Sequence, residues 1–305
     1  MRKVLIIGST GDTGRRLLDL LADESNLEVI ATTRSDPSTA PPTPSNARRV
    51  QCDPLQDPEG LRQILLAHGP FDIAINLVSA FLKQPREILL EGTRTLADAL
   101  EGHVREAFVF CSGTAVYGTQ PDTTIAEETP IAPNSRVATW LMNAEDLLFR
   151  RAARGALPVI VVRAAHVYGP GREATPRLFR DGRFLVFGDG SNRQSHLHAH
   201  DFAAALASIA RSCPPGELYV LGDDHPAPYG EFCDDLAATY GVAPPPRRSR
   251  ADLDLSGELA LTLGPHMNVP ALVDDLWAYM TAEQVVDSSR AKRDGVLPAL
   301  RYPSY

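Results

Sequence analysis

The chain has 305 residues, of which 44% are hydrophobic and 22% are charged, and its formal net charge is −8. This length and composition are typical of a soluble globular protein with one large domain or two lobes. The negative charge argues against a nucleic-acid binder, which needs a basic face. The apolar run at the N-terminus is too short to span a membrane, so we expect neither nucleic acid nor a membrane as a partner.

The cysteines are far apart in the sequence and form no Cys-x-x-Cys pair. Such spacing is typical of free thiols in a reducing compartment, so we expect a cytoplasmic protein. The four residues are Cys52, Cys111, Cys213 and Cys233.

Short apolar runs alternate with helical patterns along the first half of the chain. Runs such as "KVLIIG" predict buried strands, and the segments between them have the spacing of amphipathic helices. Strands that alternate with helices in this way predict an α/β fold with a parallel, doubly wound sheet. The predicted strands are 3–8, 27–34, 47–53, 71–80, 105–113 and 157–169, and the predicted helices are 11–23, 58–69, 86–102 and 134–154.

The pattern changes after Gly169, where the segments become short and mixed and contain many turns. These segments, "GELYVLGDD" among them, predict a smaller second lobe. A helix over His200–Ser212 is expected to return to the main sheet. The predicted division gives residues 1–168 and about 200–214 to the sheet domain, and residues 169–199 and 215–305 to a substrate-binding lobe.

The segment "GSTGDTG" places Gly8, Gly11 and Gly14 between the first predicted strand and the first helix. In such a unit the first glycine allows a tight turn, the second lets the backbone approach a pyrophosphate, and the third lets the helix pack on the strand. The helix N-terminus then presents free N–H groups to the phosphates. The sheet domain is therefore predicted to be a Rossmann-type domain that binds a dinucleotide.

The end of the second strand, "TTRS", indicates which dinucleotide is bound. NAD enzymes usually place Asp or Glu here for the ribose 2′-hydroxyl, whereas arginine suits the 2′-phosphate of NADP. Arg34 therefore favours NADP(H), and Asp53, after the third strand, is expected to reach the adenine. The complete predicted cofactor site is Gly8, Thr10, Gly11, Asp12, Thr13, Gly14, Arg34, Asp53, Leu77 and Val78.

Several further segments are spread over nearly the whole chain: "QCDPLQD", "CSGTAVYG", "VVRAAHVYGPGR", "HLHAHDFAAAL", "GELYVLGDD" and the tail from Val285 onward. Together with the glycine-rich loop, they make the chain resemble the short-chain dehydrogenase/reductase superfamily, in its extended or atypical branch (epimerase/dehydratase-like). The resemblance implies a Rossmann fold, a nicotinamide cofactor and a small-molecule substrate. It also implies a homodimer formed through the two long helices, at about 86–101 and 134–154.

Three histidines alternate in "HLHAH", at positions 196, 198 and 200. Alternate residues of a strand share a face, so a metal site is conceivable. The resemblance implies a strand-to-helix segment with structural His and Asp residues here, and we therefore expect no metal.

The catalytic groups of this superfamily are a Ser or Thr and a Tyr-x-x-x-Lys motif. The Tyr donates a proton to the carbonyl oxygen, and the Lys lowers the pKa of that Tyr and holds the nicotinamide ribose. Aligned on "CSGTAVYG" and on Glu145, the three positions fall on Gly113, Val137 and Leu141. Residues 119–158 contain neither tyrosine nor lysine, so all three roles are vacant at their usual positions.

We predict an NADPH-dependent ketoreductase that works without this Tyr and Lys on a small aromatic or polyketide-like molecule. Thr114 is predicted to hydrogen-bond the substrate oxygen, and His166, after the sixth strand, to donate the proton at neutral pH. Val137, Trp140 and Leu141 would line an apolar aromatic site. The resemblance supports this prediction, since an atypical ketoreductase of polyketide antibiotic biosynthesis lacks the Tyr.

Two other functions stay open. A protein that binds NADP(H) without turnover, such as a sensor or regulator, would explain the loss of the catalytic groups. A sugar epimerase or dehydratase that cycles its cofactor is less favoured, because that chemistry usually needs a Tyr base to start the oxidation.

Overall fold

The computed structural model describes residues 1–39, 41–79, 86–170, 174–253 and 269–298. Its centre is a sheet of seven parallel strands, numbered in chain order: β1 (Arg2–Ile7), β2 (Leu27–Thr33), β3 (Ala47–Gln51), β4 (Phe71–Asn76), β5 (Val104–Gly113), β7 (Val159–Ala164) and β12 (Leu218–Leu221). Their order across the sheet is β12-β7-β5-β4-β1-β2-β3. The chain therefore winds in both directions from β1, which confirms the predicted Rossmann-type α/β fold.

Each face of this sheet carries its own hydrophobic core, because successive side chains of a strand point to opposite faces. In β1, Leu5 and Ile7 belong to the first core, and Val4 and Ile6 belong to the second. Helices pack on both faces. On the first face these are α2 (Pro58–His68), α3 (Thr93–Leu100) and α4 (Arg136–Ala153), and on the second α1 (Asp12–Leu20), α6 (Ala199–Ser212) and α9 (Ser289–Arg293).

Short elements form a smaller lobe beside the sheet. Two aromatic-rich cores stabilise it, one around Phe232 and one that includes Phe187 with Trp277 packed against it. The lobe helices are α5 (Ala174–Arg180), α7 (Tyr229–Tyr240) and α8 (Val269–Met280). The short strands form pairs: β8 (His166–Tyr168) with β11 (His196–His198), β9 (Val186–Phe187) with β14 (Arg247–Arg248), β10 (Arg193–Gln194) with β13 (Ala227–Pro228), and β6 (Thr124–Ile125) with β15 (Val285–Val286).

Three elements differ from the sequence prediction. The single strand predicted over 157–169 is divided into β7 and β8, and β8 pairs with β11 outside the main sheet. The segment "GELYVLGDD", which we expected in the second lobe, provides β12 and pairs in parallel with β7, with Leu218 opposite Val161. The helix predicted over 86–102 is π-helical over Glu87–Gly92 before it continues as α3. Residues 171–172 of "VVRAAHVYGPGR" and residues 299–305 of the tail lie outside the described residues.

Candidate functional site

A cleft of about 900 Å³ opens at the carboxyl ends of β1, β2 and β4. Strand β1 pairs with β2 on one side and with β4 on the other, so the cleft lies where the strand order reverses. Ligands of doubly wound sheets bind at this point. Seven of the predicted cofactor residues line the cleft: Gly8, Thr10, Gly11, Arg34, Asp53, Leu77 and Val78.

The glycine-rich turn has the geometry that a dinucleotide needs. Gly8 has φ +86°, in the left-handed region, and a Cβ there would lie 3.2 Å from Val78 Cγ2. A Cβ at Gly14 would lie 2.7 Å from the carbonyl oxygen of Gly8, so α1 packs directly on the turn. Gly11 is the N-cap of α1 and has no side chain to satisfy the first N–H groups. These N–H groups are therefore available to a phosphate.

Asp12, Thr13 and Gly14 were also predicted to bind the cofactor, but they do not line the cleft. They form the first turn of α1, where Gly14 is buried. The Asp12 carboxylate pairs with Arg16 at 3.2 Å, and Arg16 also donates to the carbonyl oxygen of Pro170. The Asp12 side chain therefore helps to tie α1 to the segment after β8.

The end of β2 presents polar groups to the wall of the cleft. The hydroxyls of Thr32 and Thr33 are buried and make no hydrogen bond within the described residues. Arg34 is exposed on the cleft wall and forms no ion pair with any described residue. Asp53, which also lines the cleft, accepts a hydrogen bond from the backbone N–H of Leu55 at 3.2 Å. The residues present therefore fit a bound dinucleotide.

The positions of the missing catalytic groups are filled by packing. Val137 is 2% exposed and Leu141 is 8% exposed, and both belong to the core between α4 and the sheet. Trp140 packs against this core and is partly buried. The prediction that all three line an apolar substrate site is therefore wrong for Val137 and Leu141. The third position, Gly113, is the last residue of β5.

A buried polar network lies directly behind these positions. Arg163 of β7 donates to Glu145 of α4 with Nη2 to Oε2 at 2.6 Å, and to the phenol of Tyr117 at 2.7 Å. Ser112 donates to Oε1 of the same carboxylate. Burial raises the pKa of Tyr117, and the nearby Arg163 opposes this shift. The one sequence signal for this network is the lone arginine in the apolar strand "VIVVRA", which indicates a buried acidic partner.

The hydroxyl of Thr114 is buried in a hydrogen bond with another side chain, and Thr114 does not line the cleft. Thr114 is 2% exposed and donates to Oε1 of Gln284 at 2.9 Å. Nε2 of Gln284 donates back to the carbonyl oxygens of Thr114 and Gly118, at 3.0 and 2.6 Å. This geometry counts against the predicted catalytic role of Thr114, and sequence reasoning missed Gln284 because it lies 170 residues further along the chain.

His166, the second predicted catalytic residue, begins β8, two residues after β7 ends. It is half-buried in a cluster of rings. Its ring centroid lies 5.8 Å from that of His196, 6.2 Å from that of Tyr229 and 5.9 Å from that of Tyr279. Tyr279, on α8, was not considered from the sequence. His166 therefore lies beyond the carboxyl end of β7, beside the phenol of Tyr279, and ligands of doubly wound sheets generally bind at this edge.

The structure describes separate contacts for His196 and His198. His196 is fully buried and stacks on Phe232 with ring centroids 3.6 Å apart. Burial, with a smaller effect of His166, lowers the pKa of His196 well below its ordinary value. Nδ1 of His198 accepts a hydrogen bond from the N–H of His200 at 3.2 Å, at the start of α6.

The described residues contain no group of three or more His, Cys, Asp or Glu side chains arranged to hold a metal ion. None of their helices has both the length and the apolar character required to cross a membrane.

Known proteins share both the sequence pattern and the architecture of this chain. The profile of the NAD dependent epimerase/dehydratase family matches residues 4–222. A dTDP-glucose 4,6-dehydratase from Streptomyces griseus is 26% identical over 242 residues, which cover 72% of this chain and 73% of the relative. Another, from Streptomyces niveus, is 33% identical over 158 residues, which cover 50% of this chain and 47% of the relative. In that second comparison the chain spans about half of the relative's length.

Solved structures of the same kind superpose over nearly the full chain. A dTDP-glucose 4,6-dehydratase from Bacillus anthracis in complex with NAD has a TM-score of 0.73 and 18% identity, and the match covers 99% of this chain and 93% of that one. A UDP-glucose 4-epimerase from Thermotoga maritima with UDP-glucose has a TM-score of 0.71 and 18% identity, covering 95% and 91%. At these identities the likeness establishes the fold. Because the family profile covers most of the chain, this protein belongs to the NAD dependent epimerase/dehydratase family, within the extended short-chain dehydrogenase/reductases.

Proposed function

We propose that the protein binds NADP(H) in the cleft and reduces a carbonyl group of a small aromatic or polyketide-like molecule without the usual Tyr and Lys. The proposal is carried by one combination of features. The cleft has the glycine turn and the arginine that suit a dinucleotide, whereas the side chains at the usual Tyr and Lys positions are apolar and buried. The cleft keeps Gly8 and Arg34, while Val137 and Leu141 are buried in the core. Simple reduction tolerates the loss of a Tyr base better than a cycle of oxidation, elimination and reduction does.

Each part of the cleft has a role in holding the cofactor. The N–H groups at the start of α1 would bind the pyrophosphate, and Gly8 gives it room. Arg34 and the hydroxyl of Thr33 would hold the 2′-phosphate, since a guanidinium and a buried hydroxyl both donate to phosphate oxygens. Asp53 would accept from the adenine amino group. When bound, the reduced cofactor supplies a hydride.

The substrate oxygen needs a proton, and the described residues at the sheet edge offer His166 for this role. Thr114 remains a predicted partner, although its hydroxyl is bonded to Gln284. Water or an acidic group of the substrate itself would complete the transfer where a side chain does not.

Two other functions each have an observation in their favour. The sealed positions of Val137 and Leu141 favour a protein that binds NADP(H) without turnover, as a sensor would. The relatives named as dTDP-glucose 4,6-dehydratases favour a sugar-nucleotide substrate and NAD. The first alternative requires tight binding without chemistry, and the second requires activity on a nucleotide sugar.

One experiment separates the three functions. Binding of NADPH and NADH is measured by fluorescence titration, and NADPH consumption is followed with aromatic ketones and quinones such as acetophenone and menadione. Product formation from dTDP-glucose is measured in parallel with NAD. The proposal expects tighter binding of NADPH and its consumption with a ketone or quinone. Tight NADPH binding without consumption supports the sensor, and a dehydrated sugar product supports the dehydratase.

A further inference from the structure

We infer that Tyr279 of α8, rather than His166 itself, donates the proton to the substrate carbonyl oxygen, and that His166 returns a proton to Tyr279. The inference rests on the proposed reductase function. The phenol of Tyr279 would take the role of the phenol that α4 lacks, because it lies beside His166 near the carboxyl end of β7.

An ion pair fixes α8 against the start of α4. Asp275 of α8 is 4% exposed, and its carboxylate accepts from the backbone N–H of Arg136 at 2.7 Å. The same carboxylate accepts from Nε and Nη2 of Arg136, at 3.0 and 2.7 Å. Arg136 is the residue directly before Val137, which stands where the family has its Tyr. Helix α8 therefore meets α4 beside the vacant position.

Tyr279 lies on the same side of α8 as this ion pair. Residues four apart in a helix are neighbours on one face, and Tyr279 follows Asp275 by four. The end of α8 is held as well, because Nε2 of Gln194 donates to the carbonyl oxygen of Tyr279 at 3.3 Å and Asn192 donates to that of Met280 at 3.1 Å. The last turn of α8, which carries Tyr279, is therefore held by Asp275 at its start and by these hydrogen bonds at its end.

The ring of Tyr279 lies beside that of His166. Their centroids are 5.9 Å apart with 34° between the ring planes, and both side chains are only partly buried. The neighbouring Tyr229 differs, because it is buried and its hydroxyl lies 3.9 Å from the sulfur of Met280. Tyr279 thus combines a phenol, partial access to solvent and a histidine partner, which suits a general acid.

The proposed step balances without any further reactant. The carbonyl carbon gains a hydride, with its two electrons, from the NADPH of the proposed function. The O–H bond of Tyr279 breaks, and its proton joins the carbonyl oxygen to give an alcohol. The phenolate then takes a proton from solvent by way of His166.

The test compares Tyr279→Phe with Tyr229→Phe, which removes a hydroxyl from the same ring cluster. With menadione or acetophenone as the probe, Tyr279→Phe is expected to lower kcat about a hundredfold. Tyr229→Phe is expected to keep kcat within about twofold of wild type, because its hydroxyl faces a sulfur. The NADPH dissociation constant, measured by fluorescence, is expected to stay unchanged in both variants. Site-specific difluorotyrosine at position 279, a more acidic phenol, is expected to move the alkaline limb of the rate profile to lower pH.

The outcomes distinguish this inference from the function on which it rests. If Tyr279→Phe keeps the wild-type kcat and pH profile, Tyr279 is not the donor and the reductase function stands. The inference also fails if only KM rises or if difluorotyrosine leaves the profile unchanged. If the wild type binds NADPH but neither probe leads to its consumption, the proposed function fails, and the role of Tyr279 fails as well.

Discussion

Arg163 and Glu145 form a buried ion pair that joins β7 to α4, with Nη2 and Oε2 2.6 Å apart. The exposed fractions of the two side chains are 5% and 2%. Tyr117 and Ser112 complete the pair by using a further guanidinium N–H and the second carboxylate oxygen. The network fixes the helix that carries the vacant Tyr and Lys positions against the strand that leads to His166.

Removing one partner of this pair is expected to destabilise the protein strongly. Glu145→Ala leaves the Arg163 charge buried without its counterion, so we expect the free energy of unfolding to fall by about 3–5 kcal/mol. The double variant Glu145→Leu with Arg163→Met removes both charges and is expected to recover most of this loss. Urea denaturation measures both. A loss below about 1 kcal/mol for Glu145→Ala would show that the pair is solvated in solution.

Arg34→Ala is expected to separate the two cofactors. The variant loses a charged hydrogen bond to the 2′-phosphate, so the NADPH dissociation constant should rise about tenfold to a hundredfold while that of NADH stays constant. Arg48→Ala, at an exposed position of β3 outside the cleft, is the matched control and should change neither constant. Isothermal titration calorimetry gives all four values. Equal effects of Arg34→Ala on both cofactors would contradict the 2′-phosphate role.

His196 is expected to make stability depend on pH. Its pKa is lowered in the folded protein, mainly by burial, so the unfolded chain binds a proton below about pH 6.5 that the folded protein does not. The stability due to neutral His196 is therefore lost as pH falls, by up to about 1.4 kcal/mol per pH unit. His196→Phe should lack this slope, whereas a Phe variant at His68 on α2 should keep it. Urea denaturation between pH 5 and about 8 measures the difference.

Asp223 makes stability depend on pH in the direction opposite to His196, so the effect of His196 must be measured by comparing the variant with the wild type. Burial raises the pKa of Asp223 to about 7, so the folded protein holds a proton that the unfolded chain has released. This contribution falls as pH rises from about 4 to 7 and partly cancels the slope due to His196 in the wild type. A His196→Phe profile parallel to that of the wild type would show that His196 is protonated or solvated in the folded state.

Asp275→Ala is expected to loosen the lobe from α4. The variant loses an acceptor for the first N–H of α4 and for the guanidinium of Arg136, so we expect a loss of about 1–2 kcal/mol of stability. The neighbouring Asp274→Ala removes an exposed ion pair with Arg250 and should stay within about 0.5 kcal/mol of wild type. Thermal unfolding and denaturant titration test both. Equal effects of the two substitutions would contradict the anchoring role of Asp275.

The sheet could be predicted from the sequence because its signals are local. Apolar runs such as that of β1, and the glycine pattern after it, occupy a few consecutive residues. The placement of β12 could not be predicted in this way. Its run has four residues, and only its pairing with β7, some sixty residues earlier, assigns it to the main sheet. Such pairing depends on tertiary packing rather than on a local pattern.

The same distinction divides the candidate site. Arg34 directly follows β2, and Asp53 comes two residues after the end of β3. Sheet topology alone therefore brings both residues to the cleft. The partner of Thr114 is Gln284, and the ring beside His166 belongs to Tyr279, each more than a hundred residues further along the chain. No local pattern carries these pairings. The sequence shows that Val137 and Leu141 stand at the Tyr and Lys positions, but only the structure shows that both side chains are buried in the core.

The burial of Val137 and Leu141 makes a Tyr-x-x-x-Lys motif hard to install on α4. A tyrosine at 137 would force a ring into a core position that is 2% exposed, and a lysine at 141 would bring an ammonium group to one that is 8% exposed. Either substitution alone is therefore expected to lower stability. Engineering Tyr-x-x-x-Lys into α4 would first require smaller side chains in the surrounding core.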